Sequence, residues 1–272
     1  MNKWKYAVSY GQIAPMTAPL PLCGDLYECI RKCAQYGYAG VEVHGSATVE
    51  YDYKKIEQVS KECGSGITTI ATGRLYTEGK VGLLDEPVYS HEAAITGIKR
   101  YIEIARRLNV GIIIGSAKGI IPQGGDRERF LNALGERLLS INNYAKERGV
   151  EIYLEAINRY EINVLNTARE TLDFINKWSL DNCYVHLDTF HMNIDEFDPC
   201  EAIRLCGKKL GYFHVADNSR RYPGSGQLDF KRILSALKEV DYSGYVALEC
   251  IPYPDRDTTI IKAMEHLKKC EP

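Results

Sequence analysis

The sequence predicts a single (β/α)8 barrel spanning residues 1–272. Three observations point there. Short apolar or alternating runs recur along the chain, each followed by a segment with apolar residues at three- and four-residue spacing. Glycine precedes several of these runs, as tight αβ connections require. The last four runs carry Glu155, Asp188, His214 and Glu249 as their last or next-to-last residue, and a barrel of this kind keeps its chemistry at the C-terminal ends of its strands.

The candidate strands are Trp4–Tyr10, Ala39–His44, Ile67–Thr72, Val110–Gly115, Val150–Glu155, Cys183–Asp188, Leu210–Val215 and Gly244–Glu249. Between them, Ile95, Ile98, Ile102, Ala105 and Leu108 mark one amphipathic helix, and Phe130, Leu131, Leu134, Leu138 and Ile141 the next. Leu172, Ile175 and Trp178 continue the pattern, followed by Ile203 with Leu205, Phe230 with Ile233, Leu234 and Leu237, and Ile260, Ile261, Met264 and Leu267. Gly37, Gly40, Gly149, Gly207, Gly211 and Gly244 stand where a helix gives way to a strand. Strict alternation without a linker argues for one closed barrel. The competing doubly wound sheet lacks a Gly-x-Gly-x-x-Gly turn after its first strand. The longest connections without clear structure, Arg74–Pro87 and Asp217–Gln227, would emerge at the C-terminal face, where binding loops belong.

Composition bounds the function. With 45% hydrophobic and 26% charged residues the chain is that of an ordinary globular protein. A net charge of −2 and a pI near 6.3 supply no general attraction to nucleic acid or to an anionic membrane. The start, MNKWKYAVSYGQIAP, has no signal-peptide core and no later run has the length of a membrane span, so a cytoplasmic location is expected. Nine cysteines without a Cys-x-x-Cys pair read as reduced, structural thiols.

Three carboxylates converging on a water-poor barrel mouth would repel one another, and a divalent cation is the usual remedy. Three oxygen ligands with one imidazole suit Mn²⁺ first, with Mg²⁺ or Co²⁺ also possible, better than a structural zinc. Singly, Asp188 reads as a helix N-cap, Glu249 as a solvated strand end and His214 as a loop residue. Four in consecutive units outweigh those readings, because unpaired acids are rare at the ends of buried strands. His191 and Arg220 follow two of these ends closely enough to reach a substrate oxygen. His186, two residues before Asp188, faces the same side one layer deeper, and is expected to be a hydrogen-bonded core histidine or a partner of the metal-ligating carboxylate. Pro223–Gly226 reads as a turn.

The strings Glu-x-x-Asn-Arg-Tyr-Glu (155–161), Leu-Asp-Thr-Phe-His-Met-Asn-Ile (187–194), Phe-His-Val-Ala-Asp-Asn-Ser-Arg (213–220), Pro-Gly-x-Gly-x-x-Asp-Phe (223–230) and Leu-Glu-Cys-Ile-Pro (248–252) resemble the sugar isomerase and epimerase superfamily of xylose-isomerase-like barrels, most nearly its ketose 3-epimerases. The resemblance implies that Glu155, Asp188, His214 and Glu249 bind a divalent metal, commonly manganese. It implies that Glu161, His191 and Arg220 hold the sugar near C1 to C3, that Glu155 and Glu249 double as acid/base groups, and that the protein is a homodimer or homotetramer. Ser9-Tyr10-Gly11-Gln12 departs from the Tyr-x-Tyr-Trp segment of free-ketose enzymes. Lys118 and Arg74, which follow the fourth and third strands, suggest instead a carboxylate or phosphate on the substrate, as in the similar 5-keto-L-gluconate epimerases.

The expected reaction removes a proton alpha to a ketone and returns one to the opposite face, with the metal polarising the carbonyl. The alternatives are an aldose-ketose isomerase, an inosose-type dehydratase, a DNA-repair endonuclease and a non-catalytic sugar-binding barrel. The endonuclease needs more histidines at the mouth than His214 and His191. The binding barrel predicts missing acid/base groups.

Overall fold

The computed structural model describes residues 4–85 and 88–272. Its strands are β1 (Lys5–Gly11), β2 (Leu22–Cys23), β3 (Gly40–Val43), β4 (Gly66–Ala71), β5 (Gly111–Ile114), β6 (Ile152–Glu155), β7 (Cys183–Asp188), β8 (Leu210–Val215) and β9 (Tyr245–Leu248). The sheet order is β2-β1-β3-β4-β5-β6-β7-β8-β9, and β1 also pairs with β9. That pairing, parallel like all the others, closes the eight longer strands into a barrel. Two-residue β2 is unanticipated and lies against the end of β1, where Tyr10 pairs with Leu22. Helices cover the outside, and most start at an aspartate or threonine whose side chain accepts a first-turn N–H: Asp25, Asp52, Asp126, Thr167, Asp198, Asp229 and Asp255. Each such cap stabilises its helix by about 1 kcal/mol.

Period-two alternation decides what enters the barrel. In β6, Ile152 and Leu154 join the large core under the helices, whereas Tyr153 packs into a separate inner cluster with Ala7, Ala71, Ile113, Tyr212 and Ala247. Tyr153 and Tyr212 stack there at 5.3 Å between ring centroids. Small residues make room for the rings: a Cβ on Gly111 would lie 2.5 Å from the Tyr153 ring, and one on Gly211 2.8 Å. Gly211 therefore serves the barrel interior from within β8 rather than a connection. The aromatic floor forces the next inward residues, Glu155 and His214, up to the mouth.

The connection after β4 contains a short helix, Arg74–Thr77; Glu86 and Pro87, at the far end of the expected loop, lie outside the described residues. All nine cysteines are free thiols.

Candidate active site

Four neighbouring strands deliver the expected quartet. Glu155 ends β6 and Asp188 ends β7, His214 is the penultimate residue of β8, and Glu249 follows β9 directly. Asp188 pairs in register with His214, and His214 with Ala247. One donor atom from each of the four residues lies within 4.8 Å of all the others. In Asp188, Oδ1 accepts the Phe190 N–H at 2.8 Å and caps the helix Thr189–Asp195, while Oδ2 is buried without a hydrogen-bond partner. His214 Nδ1 is likewise buried and unpartnered. Two bare donor atoms facing two further carboxylates fit a divalent cation, because burying such atoms unpaired is costly.

Electrostatics separates the two glutamates. Burial, and then repulsion by Glu249, push Glu155 up to about 8; the same two causes push Asp188 up to about 6. Burial would raise Glu249 as well, but His214, Arg220 and His44 outweigh it and hold Glu249 below the usual carboxylate range.

Three of the quartet, Glu155, His214 and Glu249, line a cavity of about 390 Å³ together with His191, Glu161, Arg220, His44 and Arg74 and an apolar lip from Ile13 to Leu20. The three side chains expected to meet a sugar form one network. Arg220 Nη1 donates to Glu161 Oε1 at 2.8 Å and Nη2 to Glu249 Oε2 at 3.3 Å. Asn158 Nδ2 lies 2.7 Å from His191 Nδ1 and donates to Glu161 Oε1 at 3.1 Å. Burial first, then Arg220, lowers His191 to about 3, so its ring is neutral. Arg220 takes a left-handed backbone (φ 57°), and the loop around it is tied down by Asp217, whose carboxylate accepts the N–H groups of Gly224, Gly226 and Leu228. The Pro223–Gly226 turn thus holds Arg220 in place.

The two cations expected to meet the substrate are placed differently, Lys118 outside the cavity and Arg74 on its wall. Lys118 is fully buried and outside the cavity lining, and its Nζ donates to the backbone carbonyl of Glu155; burial lowers it to about 8. The short 3-10 turn Ser116–Lys118 carries the side chain inward beneath β6 instead of out to solvent. Arg74 does line the cavity, but its head is engaged by Glu78 at 2.6 Å and by the Ile13 carbonyl at 2.9 Å. His186 differs too: it is buried, neither ring nitrogen has a partner, and it packs edge-on against His214 at 4.2 Å between centroids.

Glu42 and His44 were missed. Glu42, on β3, is fully buried and contacts His44 and His214; His44 Nε2 lies 3.7 Å from Glu249 Oε1. The available signal was a glutamate in the run Gly40-Val41-Glu42-Val43-His44, a charge inside a strand otherwise too apolar to face water. The N-terminal half, read only for its pattern, hid it.

Fold and site together define a barrel enzyme with a metal-competent carboxylate–histidine cluster under a sugar-sized cavity. The sequence matches the xylose isomerase-like TIM barrel family over residues 30–270, and the chain belongs to that family. It is similar to L-ribulose 3-epimerase of Methylomonas sp. (37% identity over 50% of this chain, spanning only 48% of that protein). It is also similar to L-ribulose 3-epimerase of Mesorhizobium japonicum (34%, over 83% of this chain and 75% of that protein) and to 3-dehydro-D-guloside 4-epimerase of Escherichia coli (29%, over 83% and 87%).

Proposed function

We propose that the protein is a divalent-metal-dependent carbohydrate epimerase that inverts C3 of a neutral ketose. The observation that carries this reading is the pair Glu155 and Glu249. They stand three strands apart in the order β6-β7-β8-β9, so they approach the cavity from different sides. Their surroundings drive their proton affinities in opposite directions, which is how one site keeps a proton donor beside a proton acceptor.

Glu155, Asp188, His214 and Glu249 would hold the cation, which supplies polarisation of the substrate carbonyl when bound. Glu249, kept charged by Arg220, takes the C3 proton; Glu155, the group of higher proton affinity, delivers one to the opposite face, and the roles exchange in the reverse direction. Arg220, Glu161 and neutral His191 orient the hydroxyls around the reacting carbons. The cations that line the cavity are already engaged by the chain's own acids, Arg74 by Glu78 and Arg220 by Glu161 and Glu249. That favours an uncharged sugar over a keto-acid or a phosphate. Manganese rather than magnesium or cobalt, a homo-oligomer and a cytoplasmic setting are the finer expectations; among the described residues no helix is long and apolar enough to cross a membrane.

A panel of ketoses, keto-acids and sugar phosphates incubated with the metal-reconstituted protein in D₂O, read by NMR, tests the reading. Deuterium at C3 without aldose is expected. The similarity to a 4-epimerase supports a second reading, in which the same proton chemistry acts next to a C3 ketone and places the label at C4. Label at C1 or C2 with aldose formed would make the protein an isomerase instead.

A further inference from the structure

We infer that Glu42 is a positioning residue for the metal centre: by accepting the Nε2–H of His214 it fixes the ring so that Nδ1 faces the three carboxylates. The inference rests on the proposed metal-dependent reading for its ligand, but its geometry is independent of any substrate.

Glu42 and Ser9 pair in register across β3 and β1, and a register shift between Val41 and Glu42 against β4 marks a bulge of the kind that re-aims a side chain. The carboxylate it aims inward receives three donors. Oε1 accepts from Ser9 Oγ at 3.0 Å and from His44 Nε2 at 2.6 Å; Oε2 accepts from His214 Nε2 at 2.7 Å. No solvent reaches the side chain, so these donors are what compensate its burial.

For His214 the consequence is specific. A neutral imidazole has one N–H and one lone pair, and whichever nitrogen donates leaves the other to ligate. With Nε2–H committed to Glu42, the lone pair falls on Nδ1, the atom that is buried without a partner and lies 3.6 Å from Glu249 Oε2. The ring has little room to turn, because the edge-on contact with His186, at an interplanar angle of 84°, closes one side. Glu42, His44 and Glu249 also form a group that could itself hold a cation. Both Glu42 oxygens are engaged by ring N–H groups, however, so the structure assigns Glu42 to orienting His214 rather than to ligating a second ion.

The test is Glu42→Gln, which keeps shape but offers a single acceptor oxygen to two rings. Mn²⁺ titrations followed by the electron paramagnetic resonance of the free ion, at a temperature where both metal-free proteins are folded, should show one site per chain and a loss of about 10- to 100-fold in affinity. Ser9→Ala, which removes a donor to Glu42 but no ring contact, should retain affinity within about threefold of wild type by the same reasoning. Should Glu42→Gln not fold, ¹⁵N-histidine NMR of the Mg²⁺-loaded wild type decides: the coordination shift is expected on Nδ1 of His214, with a slowly exchanging proton on Nε2. Unchanged Mn²⁺ affinity in Glu42→Gln, two Mn²⁺ per wild-type chain, or a coordination shift on Nε2 would each overturn the inference while leaving the epimerase reading standing. A wild-type protein that binds no Mn²⁺ overturns both.

Discussion

Arg220 bridges two acids of different purpose, with Nη1 2.8 Å from Glu161 Oε1 and Nη2 3.3 Å from Glu249 Oε2. Its guanidinium also lies over the Phe190 ring, 4.7 Å from the centroid. Charge-assisted bonds of this kind are worth about 1.5–3 kcal/mol each. Replacing Arg220 with glutamine should therefore lower kcat/KM by about tenfold to a hundredfold on that scale. Steady-state kinetics at saturating metal checks it, and full activity would remove Arg220 from the site.

Substituting Glu249→Gln keeps the shape of the cavity but removes a proton carrier. Turnover should fall by at least about 10²-fold, the low end of what positioned acid/base groups contribute. Loss of the deuterium label at C3 in parallel with turnover ties the effect to proton transfer, whereas a variant that still exchanges that proton at the wild-type rate would refute the role.

A smaller change tests the placement of Glu155. A Cβ on Gly115 would lie 2.1 Å from Glu155 Oε2. The clash is with the far end of a side chain, so the carboxylate should be displaced in Gly115→Ala; Gly115 also sits at φ −107°, ψ −105°, outside the regions open to alanine, so the variant should melt lower than wild type. Metal affinity and turnover should both drop by tenfold or more, on the scale of about 10² for a misplacement near 1 Å. A variant that matches wild type in both would show that Glu155 has freedom the site does not require.

The pH dependence of stability has a definite sign. Burial, then repulsion by Glu249, raises Glu155 from 4.5 to about 8. A raised group contributes stability that is whole below its ordinary value and is lost as pH rises through the folded value. His214 runs the same way from 6.5: burial opposes its charge, but Glu42 and Glu249 raise it well above that value. Glu42 and Glu249, both held low, lose their contributions only in acid. The metal-free protein should therefore melt at a lower temperature at pH 8 than at pH 6.5. Excess Mn²⁺ should flatten that slope, and Mn²⁺ binding at neutral pH should release protons, measurable by calorimetry in buffers of different ionisation heat. Binding without proton release contradicts the assignment.

Lys118→Met separates the observed position of that residue from the expected one. Because Nζ meets the Glu155 carbonyl and not the cavity, KM should change by less than about twofold, while loss of a cation that lowers Glu155 should move the basic limb of the pH–rate profile, set by Glu155 as proton donor, upward. The orphaned buried carbonyl costs about 1–3 kcal/mol, so the melting temperature should fall. A large rise in KM confined to anionic sugars would restore Lys118 to the substrate.

The sequence alone determined the barrel and the quartet, for a common reason. Strand and helix periodicities are local, and a polar residue ending an apolar run stays visible however the chain folds. Glu155, Asp188, His214 and Glu249 are such residues. Tertiary structure decided what depends on partners distant along the chain. Nothing local distinguishes Lys118, turned beneath β6 to the Glu155 carbonyl, from a loop cation pointing to solvent. Glu42 gains its place from His214, 172 residues away, and from Ser9 on the neighbouring strand. His186 looked like a core histidine with its bonds made, and only the packed interior shows both nitrogens without a partner. Burial and pairing follow from barrel closure, and closure brings β1 against β9 from opposite ends of the sequence.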